Sequence, residues 1–275
     1  MNTNSASSTS APAPVTFGDH LRLWRQRRRL SQLDLANEAE ISTRHLSFVE
    51  TGRSKPSREM VLALAHRLDV PLRETNVMLA AAGFAPMFSE RALDDPQLAA
   101  ARQVIDQVLK AHEPYPALAV DRRWDLVAMN GAVAPFMEGI APFLLTPPIN
   151  VLRLSLHPEG LAQRILNLQE WRAHVFIRVS RQIDIAADAG LIDLLEELRS
   201  YPAPRRQPPR IEDGPVIATP LRLASPAGEL SFISTMTVFG SPLEITLSEL
   251  AIEAFFPADA RTAQVLAQAQ TSAAS

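Results

Sequence analysis

Apolar side chains in the first third of the chain recur every three or four residues: Phe17, Leu21 and Trp24; Leu30, Leu33, Ala36 and Ala39; Leu46 and Val49; Val61, Leu64 and Leu68. That spacing lines one face of an α-helix, so it predicts short helices with tight joints. The joints carry their own signals. Ser31, ahead of Gln32-Leu33-Asp34, N-caps a helix to about Ala39, and Ser42 caps the next, because a short hydroxyl satisfies amides that a first helical turn leaves unpartnered. Gly52 ends that helix in the left-handed conformation, with Pro56 soon after. Ser57 opens a fourth helix to about Leu68, Pro71 separates it from a fifth, and Gly83 ends the array. The expectation is a compact, mainly α five-helix bundle.

After Ala85-Pro86-Met87 the pattern changes. Leu98, Ala101, Ile105, Val108 and Leu109 fall on one stripe of a helix from about Pro96 to His112, read as a connection between two domains. Ala117–Val120 and Trp124–Met129 flank Asp121-Arg122-Arg123 as a β-hairpin, and helices are expected from about Glu159 to Ala187 and Ile192 to Arg199. Pro202–Pro209 reads as a proline-rich loop. Strands at Val216–Ala224 and Glu229–Phe239 are joined by the turn Ser225-Pro226-Ala227-Gly228, and Leu230, Phe232, Met236 and Val238 alternate onto one face of the second. A closing helix is expected at about Ser248 to Phe256. Strands at both ends with helices between them predict an α+β domain on one mostly antiparallel sheet. The divisions are a disordered tail (1–15), a helical domain (16–88), the connecting helix (89–113), the α+β domain (114–262) and a flexible tail (263–275).

The chain has 275 residues, enough for two cores. It has no cysteine, which excludes disulfides, thiolate catalysis and Cys-ligated metal. Met1–Val15 has neither a basic start nor an apolar core, so it does not read as a signal peptide, and no apolar run is long enough to span a membrane. A cytoplasmic protein is expected. The net charge of -3 is unevenly spread: Phe17–Pro86 carries 11 Lys+Arg against 8 Asp+Glu, so the first domain is the end to suspect of meeting phosphate. His157, His174 and Glu170 invite a metal reading, but His157 and His174 are too far apart for a helical metal pair, and no H-E-x-x-H, G-x-S-x-G, G-x-G-x-x-G or P-loop occurs. Neither an enzyme nor a catalytic cofactor is expected.

The run Leu30-Ser31-Gln32, Leu35-Ala36, Ile41-Ser42, Leu46, Val49-Glu50-Thr51-Gly52-Arg53 and Pro56-Ser57 resembles the XRE (Cro-type) helix-turn-helix family over the whole first domain. The resemblance implies that the helix from about Ser42 to Thr51 enters the major groove of double-stranded DNA while the preceding helix crosses the backbone. Ser42 stands at its start, with Thr43, Arg44, Ser47 and Phe48 facing outward. Arg44 suits a bidentate contact to guanine, Thr43 and Ser47 suit bases or phosphate, and Phe48 suits a thymine methyl. The plainer alternative for each is a surface side chain that touches only phosphate or nothing. Gln32 lies where the family bonds a phosphate, and Arg53, Lys55 and Arg58 look like further backbone contacts. Arg25 and Glu50 occupy positions that form a partly buried ion pair in the family. The run Arg27-Arg28-Arg29 serves either phosphate or the helix dipole.

The second half resembles the ligand-binding domain of MmyB-like transcription regulators, which has a PAS-like fold. The likeness rests on Pro116 to Asp125, Asn150-Val151-Leu152-Arg153, His157-Pro158, Trp171-Arg172-Ala173-His174, Gly228-Glu229-Leu230-Ser231-Phe232 and Phe255-Phe256-Pro257. It implies a buried pocket for a fatty acid or similar lipid. Among the residues, Met129, Phe136, Met137, Trp171, Phe176, Phe232 and Met236 are candidates to line an apolar cavity, or are simply core. Arg153, Arg172, His157 and His174 are the candidate cations for a carboxylate head, or make structural bonds. A homodimer on a pseudo-palindromic operator follows from the way two-fold proteins read two half-sites. The alternative is a second domain that serves only dimerisation or protein contact.

Overall fold

The computed structural model describes residues 15–202 and 218–273. The chain divides into two compact units between Ser89 and Glu90. The expected tail (1–15) and the proline-rich loop lie, except for Val15 and Pro202, outside the described residues, as do the first two residues of the strand expected at Val216.

The first unit holds five helices, α1 (Phe17–Arg27), α2 (Gln32–Glu38), α3 (Thr43–Glu50), α4 (Arg58–Arg67) and α5 (Leu72–Ala81). Their boundaries follow local chemistry. Thr16 and Ser31 form reciprocal capping boxes with Asp19 and Asp34, while Ser42 and Ser57 accept the amides of His45 and Met60. Gly52 and Gly83 follow the ends of α3 and α5 at φ +72 and +88, a region that glycine enters without penalty. Leu21, Trp24, Leu46, Leu64 and Leu68 are almost wholly buried, as helical spacing predicted. Leu35 and Leu79, which that reading left out, are buried with them, and Leu33, which it placed on the inner face, is 57% exposed because Leu35 takes the inward position of α2. One contact was not legible in the pattern: α1 crosses α3 so closely at Gly18 that a Cβ there would overlap the Glu50 carbonyl.

The second unit is α+β. Helix α6 (Ala99–Ala111) leads into β1 (Ala117–Val120) and β2 (Leu126–Met129), followed by α7 (Val151–Leu156), α8 (Leu168–Ala186) and α9 (Ala189–Ser200). Next come β3 (Leu221–Ser225), β4 (Gly228–Val238), the single turn α10 (Ile245–Ser248), β5 (Ala251–Pro257) and α11 (Ala260–Ala273). The sheet is antiparallel throughout in the order β2-β1-β5-β4-β3, with Ala119 opposite Ile252 and Thr235 opposite Ala254. This is the α+β, PAS-like class expected. Alternation splits the sheet into two faces. Ala117, Ala119 and Ile252 pack with Ile105 and Leu109 of α6, whereas Leu118, Val120, Leu230 and Phe232 pack with α7, α8 and α9.

Four expectations are corrected. The helix expected at Ser248–Phe256 is the central strand β5: paired on both edges and packed on both faces, it reads as an apolar run without alternation. The helix expected from Glu159 begins only at Leu168, after a 3₁₀ turn at Leu161–Gln163 whose chain pairs with β3 through Ile165 and Leu223. Helix α6 is not a free connection, because Ile105 and Leu109 are buried against the sheet of the second unit. Residues 263–273 are not a tail: α11 packs on β4 and β5 and buries Leu266 in the larger core.

Candidate functional site

In the first unit, Ser42 fixes the N-terminus of α3 and so sets which side chains the helix presents. Thr43, Ser47 and Phe48 are half-buried and Arg44 is exposed, with the Arg44 guanidinium 5.3 Å from the Phe48 ring centroid. Arg53 approaches the same ring from beyond the helix at 5.9 Å, and Lys55 is exposed after it. The structure therefore brings Arg44, Phe48 and Arg53 together as one basic, aromatic surface at α3. Contact with the ring restrains both guanidinium groups, and both arginines remain exposed.

Behind that surface, Glu50 organises the helices. Its side chain is fully buried and accepts from Arg25 Nε at 2.6 Å, Arg25 Nη2 at 3.1 Å and Gln32 Nε2 at 2.7 Å. Burial alone would raise its pKa, but the hydrogen bonds from Arg25 and Gln32 and the charges of Arg25 and Arg22 outweigh this and hold it below the usual carboxylate range. Gln32 is thus partly committed to α3, and only its second amide hydrogen remains for a phosphate. Arg28 donates to the carbonyls of Leu68 and Asp69 at 2.7 Å each, which assigns it to the end of α4.

In the second unit an apolar cavity of about 100 Å³ lies between the sheet's inner face and helices α7 and α8. Phe136, Met137, Trp171 and Phe232 line it, as the sequence reading placed them. Met129 and Met236 do not, being 40% and 42% exposed; Phe176 packs at the margin of the core. None of the four candidate cations reaches the cavity wall. Arg153 pairs with Glu197 at 2.7 Å, and Glu197 also accepts from the Tyr201 hydroxyl. His157 turns its ring edge to Phe143 and Tyr201, and its Nδ1 accepts from the Glu159 amide at 3.0 Å. Arg172 is buried, donates to the Tyr201 carbonyl at 3.1 Å and packs on Phe176. His174 stacks on Trp171, and burial followed by the Arg178 charge lowers its pKa, so its ring is neutral near pH 7.

The reason is helical phase. Trp171, Val175 and Arg178 recur at i, i+4 and i+7 on α8 and face the cavity, which turns Arg172 and His174 to either side. The charged residues that do line the wall, Arg178 and Glu253, were missed. Arg178 was findable on the stripe of Trp171; Glu253 was hidden by reading β5 as a helix. Among the described residues no group of three or more His, Asp or Glu is placed to hold a metal ion, and no helix is long and apolar enough to cross a membrane.

Comparison with known families agrees with both halves. Residues 16–78 match a helix-turn-helix domain model, and residues 101–269 match the MmyB-like transcription regulator ligand binding domain. No curated protein matches the chain. The second match covers more than half of the sequence, so the chain belongs to the MmyB-like transcription regulators, and it is a DNA-binding transcription regulator with a ligand-binding domain.

Proposed function

We propose that this MmyB-like regulator reads a specific duplex sequence through α3 and is controlled by a fatty acid or similar apolar molecule held in its second domain. Arg44 and Thr43 supply base contacts, Ser47 and Phe48 extend them, and Gln32, Arg53 and Lys55 grip the phosphates. The protein acts in the cytoplasm as a homodimer on a pseudo-palindromic operator, XRE-fashion, with half-sites ~34 to 36 Å apart, and without catalysis or a cofactor.

The observation that supports the ligand is the cavity itself, walled by Phe136, Met137, Trp171, Val175 and Phe232. As it stands it has the size of a benzene site rather than of an alkyl chain. Phe136 also lines a neighbouring cavity of about 480 Å³ bounded by Glu138, Arg164, Pro226 and Leu266. Phe136 is thus a side chain the two share, and their volumes taken together fall within the ~300–1,000 Å³ range of ligand pockets. Binding there shifts the regulator between two arrangements by as much as the ligand's affinity differs between them.

Native mass spectrometry of gently purified protein, beside a denatured extract, tests this reading. A bound mass in the fatty-acid range, released on denaturation, supports it. An empty protein that no acyl compound stabilises against heat turns the second domain into a contact module.

A further inference from the structure

The inner face of β5 departs from its own pattern at one position. Neighbouring positions on that face, Leu118 of β1 and Ala251 and Phe255 of β5, are apolar, yet Glu253 stands among them in the central strand, 4% exposed and opposite Leu118 and Met236 in register. A carboxylate there is expensive unless it is paired. Arg178 of α8 pairs with it at 2.8 Å. The guanidinium is itself held from two further sides: its Cζ lies 4.3 Å from the Trp124 ring centroid, and Nη2 lies 3.0 Å from the Met236 sulfur. Trp124 adopts φ +69, a left-handed conformation uncommon for a bulky residue, with its Nε1 bonded to Gln182 at 2.8 Å.

Both members of this pair line the apolar cavity. If the pair served only to tie α8 to β5, apolar side chains of equal volume would do as well. A charged pair kept in the wall of a cavity, with a strained aromatic fixing one partner, is the arrangement of a recognition site. Ser155, whose hydroxyl accepts from Trp171 Nε1 at 2.8 Å, is the third polar side chain in the lining.

We propose that Arg178 and Glu253 form the head-group site of this cavity and select an uncharged acyl compound, such as a primary alcohol or amide, over an ionised fatty acid. The proposal rests on the reading of the second domain as an acyl-ligand sensor. A guanidinium carries five N–H donors, so it can serve a ligand oxygen as well as Glu253, and Glu253 can accept a hydrogen bond from the O–H of an alcohol or the N–H of an amide. The pair is neutral as a whole, so a neutral head leaves the charge balance intact. An ionised carboxylate would set two negative charges on one cation in a poorly solvated wall, where like charges repel strongly.

Calorimetric titration of the delipidated full-length protein with decan-1-ol, decanamide and decanoate at neutral pH tests the assignment. The alcohol and amide should bind on the order of tenfold more tightly than decanoate. Glu253→Gln leaves Arg178 uncompensated and should cancel that preference by strengthening decanoate about tenfold. The double variant Arg178→Gln/Glu253→Gln removes both charges and should return decanoate to weak binding. Decanoate binding the wild type as tightly as the neutral compounds, or a preference unchanged in Glu253→Gln, overturns the head-group site and leaves the sensor reading standing. Should Glu253→Gln fail to fold, the wild-type order decides alone. If none of the three binds folded protein, the sensor reading fails and the head-group site with it.

Discussion

Arg25 and Glu50 lie on α1 and α3, and two hydrogen bonds, from Nε at 2.6 Å and Nη2 at 3.1 Å, clamp the two helices together behind the basic, aromatic surface of α3. Glu50 has no exposed side-chain area and Arg25 only 12%. Removing one partner strands the other charge in the interior. Glu50→Ala should therefore cost ~3–5 kcal/mol, seen as loss of the first domain's unfolding transition in calorimetry. A change within ~1 kcal/mol, the worth of a surface pair, would show that the clamp carries no weight.

The same carboxylate gives the first domain a pH dependence. Its pKa is lowered in the folded state, so its contribution is fully present above the ordinary carboxylate range and is lost as pH falls through the folded value. Thermal unfolding between neutral pH and about pH 3 should show the first domain losing stability only below about pH 4.5, the region where an unfolded glutamate takes up its proton. Glu50→Gln should flatten that part of the profile.

Arg44 and Arg53 share the Phe48 ring, and the proposed reading gives them different tasks, base readout and phosphate contact. Arg44→Ala should cost ~1 to 3 kcal/mol on the selected duplex and relax base preference. Arg53→Ala and Lys55→Ala should weaken every sequence alike and reduce the salt slope by about one each. Fluorescence anisotropy on cognate and scrambled duplexes at several salt concentrations separates the two classes. An Arg44→Ala protein that keeps the wild-type cognate-to-scrambled ratio removes Arg44 from readout.

Leu266 belongs to the main core of the second domain although it sits near the end of the chain. Leu266→Ala should cost roughly 2–5 kcal/mol by denaturant titration, as deleting a buried leucine does. An unchanged midpoint would return this segment to the status of a tail.

The first domain was legible because its signals are local. Ser31, Ser42 and Ser57 cap, Gly52 and Gly83 terminate, and apolar residues at i, i+3 and i+4 sort themselves onto buried faces without reference to distant partners. The second domain depends on pairing across the chain. Leu250-Ala251-Ile252-Glu253-Ala254 has good helix formers, and only the edges offered by β1 and β4 make it a strand. The Ala- and Gln-rich stretch of α11 looks unstructured until Leu266 is seen to have a core to enter. The cavity's aromatic residues were legible as apolar bulk on helical and strand faces. Its polar groups were not, because Arg178 and Glu253 meet across 75 residues of sequence.

The central claim is a DNA-binding regulator whose second domain senses an apolar ligand. It is tested most directly by the affinity of the full-length protein for its selected duplex and a scrambled one, with and without saturating acyl ligand. The account predicts cognate binding at least ~10³-fold tighter than scrambled. It also predicts a shift of roughly 5- to 150-fold in cognate affinity on ligand binding, in either direction. Equal affinity for both duplexes, or cognate affinity unmoved by saturating ligand, would contradict it.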